Sequence, residues 1–142
     1  MANAIYPKYK TNLLKGTSGY DLDAAEGDTG VYAALIDTGT YTYSAAHEFY
    51  SDLSGIGGTP VEILSKTVGT VSEGTFDGAN ITWTAVAGTV TYEAIVLYRK
   101  NAGANTTWPL IAYIDTGVTN LPVTSNGGDI SVTWNASGIF TL

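Results

Sequence analysis

Two stretches of this chain alternate apolar and polar residues with a period of two, and that period constrains the fold more than any other feature. Ala79, Ile81, Trp83 and Ala85 alternate with Asn80, Thr82 and Thr84, and Ile130, Val132 and Trp134 alternate with Asp129, Ser131 and Thr133. Successive side chains of a strand point to opposite sides, so each stretch predicts a strand with one dry and one hydroxyl-rich face. Denser apolar runs at Val31–Ile36, Ala94–Tyr98 and Leu110–Ile114 predict strands covered on both sides, hence central in a sheet. Shorter candidates are Tyr41–Tyr43, Val61–Leu64, Val68–Val71 and Ile139–Leu142. Turn signals such as Asp37-Thr-Gly39, Gly57-Gly58 and Asn126-Gly-Gly128 punctuate them. Eight or so short strands at this spacing in 142 residues predict one mainly β domain, an antiparallel sandwich or jelly roll.

The front of the chain differs from the rest. Lys8, Lys10 and Lys15 fall in the first fifteen residues, which hold no acid, whereas the remainder sets Lys66, Arg99 and Lys100 against all 13 acids. A basic leader is thus joined to an acidic body. Tyr6, Tyr9, Leu13 and Leu14 stand near helical spacing, Pro7 suits a first turn and Gly16 suits a stop, so residues 1–16 read as a basic arm carrying a short helix. Residues 17–29 are rich in Gly, Ser and Asp and read as a loop. The sandwich then occupies 30–142, interrupted by a second helix near 44–54, with Ser44 as its cap, Phe49 and Leu53 on one face and Gly55 at its end.

Composition removes whole classes of function. With a net charge of −7 and a sequence pI near 4.3, the chain lacks the cations that phosphate contacts need, so nucleic acid is not expected as a partner. It has no cysteine, hence no disulfide, thiol nucleophile or thiolate metal site. The apolar runs are far too short to span a membrane and the N-terminus has no apolar signal core, so the expectation is a soluble product made in the cytoplasm.

Catalytic constellations find little support. His47 is the lone imidazole and Glu48 follows it, but Ser51 stands where an HExxH zinc motif needs its second histidine. No G-x-S-x-G elbow supplies a nucleophile, and no phosphate-binding glycine loop is present. Asp37, Glu93, Asp115 and Asp129 could pair as acid and base, yet Asp37 and Asp115 each precede Thr-Gly and suit turn stabilisation. Asp21, Asp23, Glu26 and Asp28 offer oxygen to calcium without the EF-hand order of ligands. No cofactor, resident metal or enzymatic activity is expected. Ten tyrosines are the remaining signal, because a tyrosine ring buries area at an interface while its hydroxyl keeps a partner.

The run Ala34 to Gly55 (ALIDTGTYTYSAAHEFYSDLSG), the later Leu110-Ile-Ala-Tyr-Ile-Asp-Thr-Gly117, the tail Leu121 to Trp134 (LPVTSNGGDISVTW) and the leader MANAIYPKYK together resemble small structural proteins of tailed bacteriophages. The likeness spans nearly the whole chain and implies a capsid cement or decoration protein, with a tail, fibre or baseplate component as the alternative. It brings no catalytic residues. It implies the major capsid protein as partner, a location on the capsid exterior, and a dimer or trimer of the chain itself. Within that frame the leader is expected to act as a docking arm through Tyr6, Lys8, Tyr9 and Lys10, with Tyr41 and Tyr43 as further contact residues. Deleting residues 1–15 is then expected to abolish particle binding and leave the domain folded. In the alternative, a tail protein would bind a receptor glycan on exposed aromatics such as Trp83, Trp108 or Trp134.

Overall fold

A computed structural model describes residues 2–23, 26–27 and 29–142. The fold is mainly β with antiparallel pairing throughout. Its centre is a five-stranded sheet built from β1 (Ala4–Ile5), β2 (Val31–Ile36), β3 (Ile56–Glu62), β8 (Ala94–Arg99) and β9 (Leu110–Ile114), in the order β1-β9-β8-β2-β3. The three continuous apolar runs are the three inner strands, and all six residues of β8 are buried. A strand covered on both faces needs apolar side chains at every position, which is why these runs lack alternation.

The alternating segments form the second layer. Here β4 (Thr67–Val68), β5 (Thr75–Asp77), β6 (Ile81–Trp83) and β7 (Thr91–Tyr92) meet β10 (Val123–Thr124), β11 (Ile130–Val132) and β12 (Phe140–Thr141). The pairs β7–β10, β6–β11 and β5–β12 follow one another along the same two stretches of chain with a register shift between each, Tyr92 standing opposite Val123, Trp83 opposite Ile130 and Phe76 opposite Phe140. They form one long antiparallel ribbon interrupted by irregular residues. Ile81 and Trp83 are buried while Thr82 between them is exposed, and on the partner strand Ile130 and Val132 are buried around exposed Ser131. The outward pair Thr82 and Ser131 shares a hydrogen bond at 2.7 Å.

Register places Leu35, Leu97, Ile95 and Ile114 on one face of the sheet, toward the ribbon, and Tyr32, Tyr98 and Tyr113 on the other. The second face is covered by aromatic rings. Tyr50 and Trp108 lie 4.6 and 5.9 Å from Tyr98, and Tyr43 lies 5.6 Å from Tyr113. On the first face a Cβ at Gly57 would come within 2.4 Å of the Tyr92 ring, so glycine is what lets ribbon and sheet approach there. Gly57-Gly58, expected as a turn, therefore lies inside β3, beside an irregularity in its pairing with β2.

Residues 44–54 are a second departure. Rather than a helix they form a turn at Ala45-Ala46, a single bridge between Phe49 and Pro109, and a 3-10 turn at Tyr50–Asp52. The amide of Tyr50 donates to the Trp108 carbonyl and that of Leu110 to the Glu48 carbonyl, so tertiary pairing captures backbone groups that a helix would have used internally. Tyr41–Tyr43, read as a strand, has no ladder partner among the described residues and delivers its two tyrosines to the covered face. Among the described residues no helix is long and apolar enough to cross a membrane.

Candidate docking surface

The leader is welded into the body from its third residue. Asn3 Oδ1 accepts from the amides of Asp115 and Thr116 at 2.8 and 3.0 Å, so this side chain closes the turn that ends β9. Ala4 and Ile5 then pair with Tyr113 and Ala112 as the outermost strand of the sheet. Helix α1 (Pro7–Leu14) follows, with proline in its first turn, where no amide is missed, and Gly16 at φ 66° just past its end.

Burial revises the docking assignment of the tyrosines. Tyr6 and Tyr9 are 0% and 1% exposed and Tyr41 is 2% exposed, so none of the three can touch a partner. Tyr6 and Tyr41 share a hydrogen bond at 2.8 Å between their hydroxyls, and Tyr41 shares a second with His47 Nδ1 at 2.8 Å. Tyr9 donates to the Tyr20 carbonyl. Burial, then the bond to Tyr41, holds the Tyr6 hydroxyl far above the ordinary tyrosine value; burial, then the charge of Asp21, raises that of Tyr9. These rings are core, with the hydroxyls tying the leader to the 41–47 segment and to the loop that follows the helix. Tyr43 is half-buried beside Tyr6, at 5.1 Å between ring centroids.

The cations divide by what holds them. Lys8 pairs with Glu48 at 3.0 Å. Arg99, 7% exposed, reaches Asp21 and the carbonyls of Asp21, Thr29 and Lys100, clamping the 17–29 loop to the end of β8. Lys100 lies over the rings of Tyr32 and Trp108. Lys10 and Lys15 stand exposed on and just after α1. Between them Leu14 is 89% exposed, and across a hollow of about 260 Å³, lined by Ile5, Lys10, Leu13, Leu14, Thr141 and Leu142, stands the exposed Leu142. Side chains one position apart on a helix point about 100° apart, so Leu13 and Leu14 cannot both face the body. That spacing was the signal in the sequence for an outward leucine.

Three of the four candidate acids, Asp37, Glu93 and Asp129, accept from backbone amides. Asp37 accepts from the Gly39 amide and the Thr40 hydroxyl at 2.8 and 2.7 Å, the turn role its sequence context suggested. Glu93 accepts from the amide and hydroxyl of Thr38, and Asp129 from the amide of Ala85 at 2.8 Å. Asp115 sits in the turn that Asn3 closes. Of the proposed calcium ligands, Asp21 is on Arg99, Glu26 accepts from the Ser65 amide, and Asp28 lies outside the described residues. Among the described residues no group of three or more metal-ligating side chains is placed to hold an ion. Asp52 accepts from the amides of Glu48 and Phe49; burial works against its ionisation, but those amides, aided by His47 and Lys8, keep its carboxyl below the ordinary value. As for a glycan platform, Trp83 and Trp134 are core residues, and Trp108 is half-buried under Lys100 with its indole N–H on the Asn101 carbonyl.

No protein-family model, curated protein sequence or solved structure matches the chain.

Proposed function

We propose that this chain is a virion structural protein that turns over no substrate: a capsid cement or decoration protein, seated on the outside of the shell as a dimer or trimer and bridging subunits of the major capsid protein. The observation that carries the reading is the exposed face of α1. Lys10, Leu14 and Lys15 put an exposed apolar side chain between two cations on a protein whose net charge is −7. A large apolar side chain held in water beside fixed charges is the composition of a small interface anchor with a charged rim. Because the leader is part of the sheet, force on that face passes directly into the five strands, which suits a protein that holds strained subunits together. Each bridged contact adds its binding free energy to the assembled shell alone, and engaging two subunits at once multiplies the effect. The acidic body favours the exterior, away from packaged DNA.

The test is co-sedimentation with purified phage shells stripped of this protein, and in parallel with purified tails. Wild-type chain is expected on shells at saturable stoichiometry, and the triple variant Lys10→Glu, Leu14→Asp, Lys15→Glu is expected to bind at least about tenfold more weakly while melting at the same temperature. Binding to tails and not shells would make the chain a tail component, and undiminished shell binding by the variant would remove α1 as the anchor.

A further inference from the structure

Glu93 immediately precedes β8 and Asp115 immediately follows β9, and Ile95 pairs with Ile114, so the two acids stand at the same end of neighbouring strands. Together with Thr38, Tyr43, Tyr113 and Thr116 they line a hollow of about 540 Å³. None of its lining residues is a cation.

Two groups in this hollow hold polar atoms that the fold does not use. Glu93 Oε2 accepts from the amide and the hydroxyl of Thr38 at 2.9 and 3.1 Å, which fixes the carboxylate and leaves Oε1 without a hydrogen bond among the described residues. Tyr113 is only 4% exposed, yet among the described residues its hydroxyl has no hydrogen-bond partner either. A phenol withdrawn from water ordinarily finds one. Burial, then the charges of Asp115 and Glu93, raises this hydroxyl above the ordinary tyrosine value, so it stands near both carboxylates and opens on the hollow they line. The Tyr113 ring is backed by that of Tyr43, 5.6 Å away and inclined by 59°.

These atoms define what fits. A ligand must donate to Glu93 Oε1 and to the phenol oxygen, and two carboxylates with no internal cation beside them favour positive charge. Among the described residues no third ligating side chain joins the two acids to hold a metal ion, which leaves an organic cation. A guanidinium carries five N–H donors in a planar fork and can pair with a carboxylate while lying against a tyrosine ring. The compact charge of an ammonium has no such plane.

We propose that this hollow binds the guanidinium of an arginine side chain presented by a partner polypeptide, its N–H groups donating to Glu93 Oε1 and the Tyr113 oxygen and its plane against Tyr43. Asp115 adds negative charge at the rim. The inference rests on the reading that the chain attaches to other proteins, but the hollow shares no residue with the exposed face of α1 and the inference stands whichever protein supplies the arginine.

The test uses the full-length protein and no phage particle. Arginine with acetylated and amidated ends is titrated to millimolar concentration, and binding is read from the NMR shifts of the Glu93 and Tyr113 signals. A saturable shift is expected. The citrulline analogue, which has the same shape without the charge, is expected to bind at least about tenfold more weakly, and the lysine analogue severalfold more weakly. Glu93→Gln keeps an oxygen for the Thr38 amide and is expected to cost at least about tenfold in affinity. If that variant melts more than a few degrees below wild type, Tyr113→Phe makes the same comparison with an expected loss of about threefold to tenfold. A blocked glycyl-arginyl-glycine peptide is expected to bind at least as well as the single residue; its exclusion would overturn a polypeptide as the source. No saturable shift, or citrulline binding as well as arginine, would overturn the site while leaving shell binding through α1 untouched.

Discussion

Tyr6 sits where three parts of the chain meet, and its hydroxyl tests how they are tied. Removing it in Tyr6→Phe keeps the ring against Tyr43 and takes away one buried hydrogen bond, while Tyr41 retains His47. The expected cost is about 1 kcal/mol, read as a lower urea midpoint with unchanged slope. The same buried hydroxyls set an alkaline limit. Tyr6, Tyr9 and Tyr98 all titrate well above the free value of 10.0, chiefly because burial penalises the phenolate. The folded chain therefore keeps protons that the unfolded chain releases as pH passes about 10, so tyrosine-linked stability is level below that point and falls above it. Urea midpoints measured from about pH 8 to pH 11.5 should be flat at first and then drop steeply; a midpoint unchanged across the range would place these rings in water.

At the scale of the element, the leader is a strand and a helix of the fold instead of an arm. Deleting residues 1–15 removes β1, α1, the Asn3 cap and two fully buried tyrosines. Losing a large aromatic side chain from a core costs about 3–5 kcal/mol, and a domain holds only about 5–15 in all. The truncated chain is expected to lose its cooperative thermal transition and bind a hydrophobic dye; a normal melt would mean the leader is dispensable after all. The contrast with the arm expected from the residues alone shows where sequence reading stops. Helix and stop signals at Pro7 and Gly16 are local, and so were legible, as were the three inner strands, whose unbroken apolar runs already imply cover on both faces. That Tyr6 lies under Tyr41, or that Asn3 closes a turn more than a hundred residues away, depends on which strands become neighbours, and no local period encodes it. The false helix at 44–54 failed for the same reason. Its caps and spacing were sound, but partners at Trp108 and Leu110 claimed its backbone.

Viewed as a whole, the molecule combines a doubly covered sheet, a net charge of −7, one basic, apolar face and one acidic hollow. Charge asymmetry between leader and body was visible in the sequence and survives folding at Lys10 and Lys15, while Lys8 and Arg99 are drawn into pairs within the fold. The outward Leu14 was half legible, since two adjacent leucines cannot both point inward. Glu93 and Asp115 were legible as candidate acids, but the hollow that joins them to Tyr113 was not, because segments distant in the chain assemble it. Attachment to a virion through the leader face is the claim that binds these features together, and reconstruction of the phage particle by electron cryo-microscopy tests it most directly. The account predicts many symmetric copies on the outer shell surface, each with α1 against a capsid subunit. A fully occupied shell reconstruction without this chain, or copies whose α1 faces solvent, would contradict it.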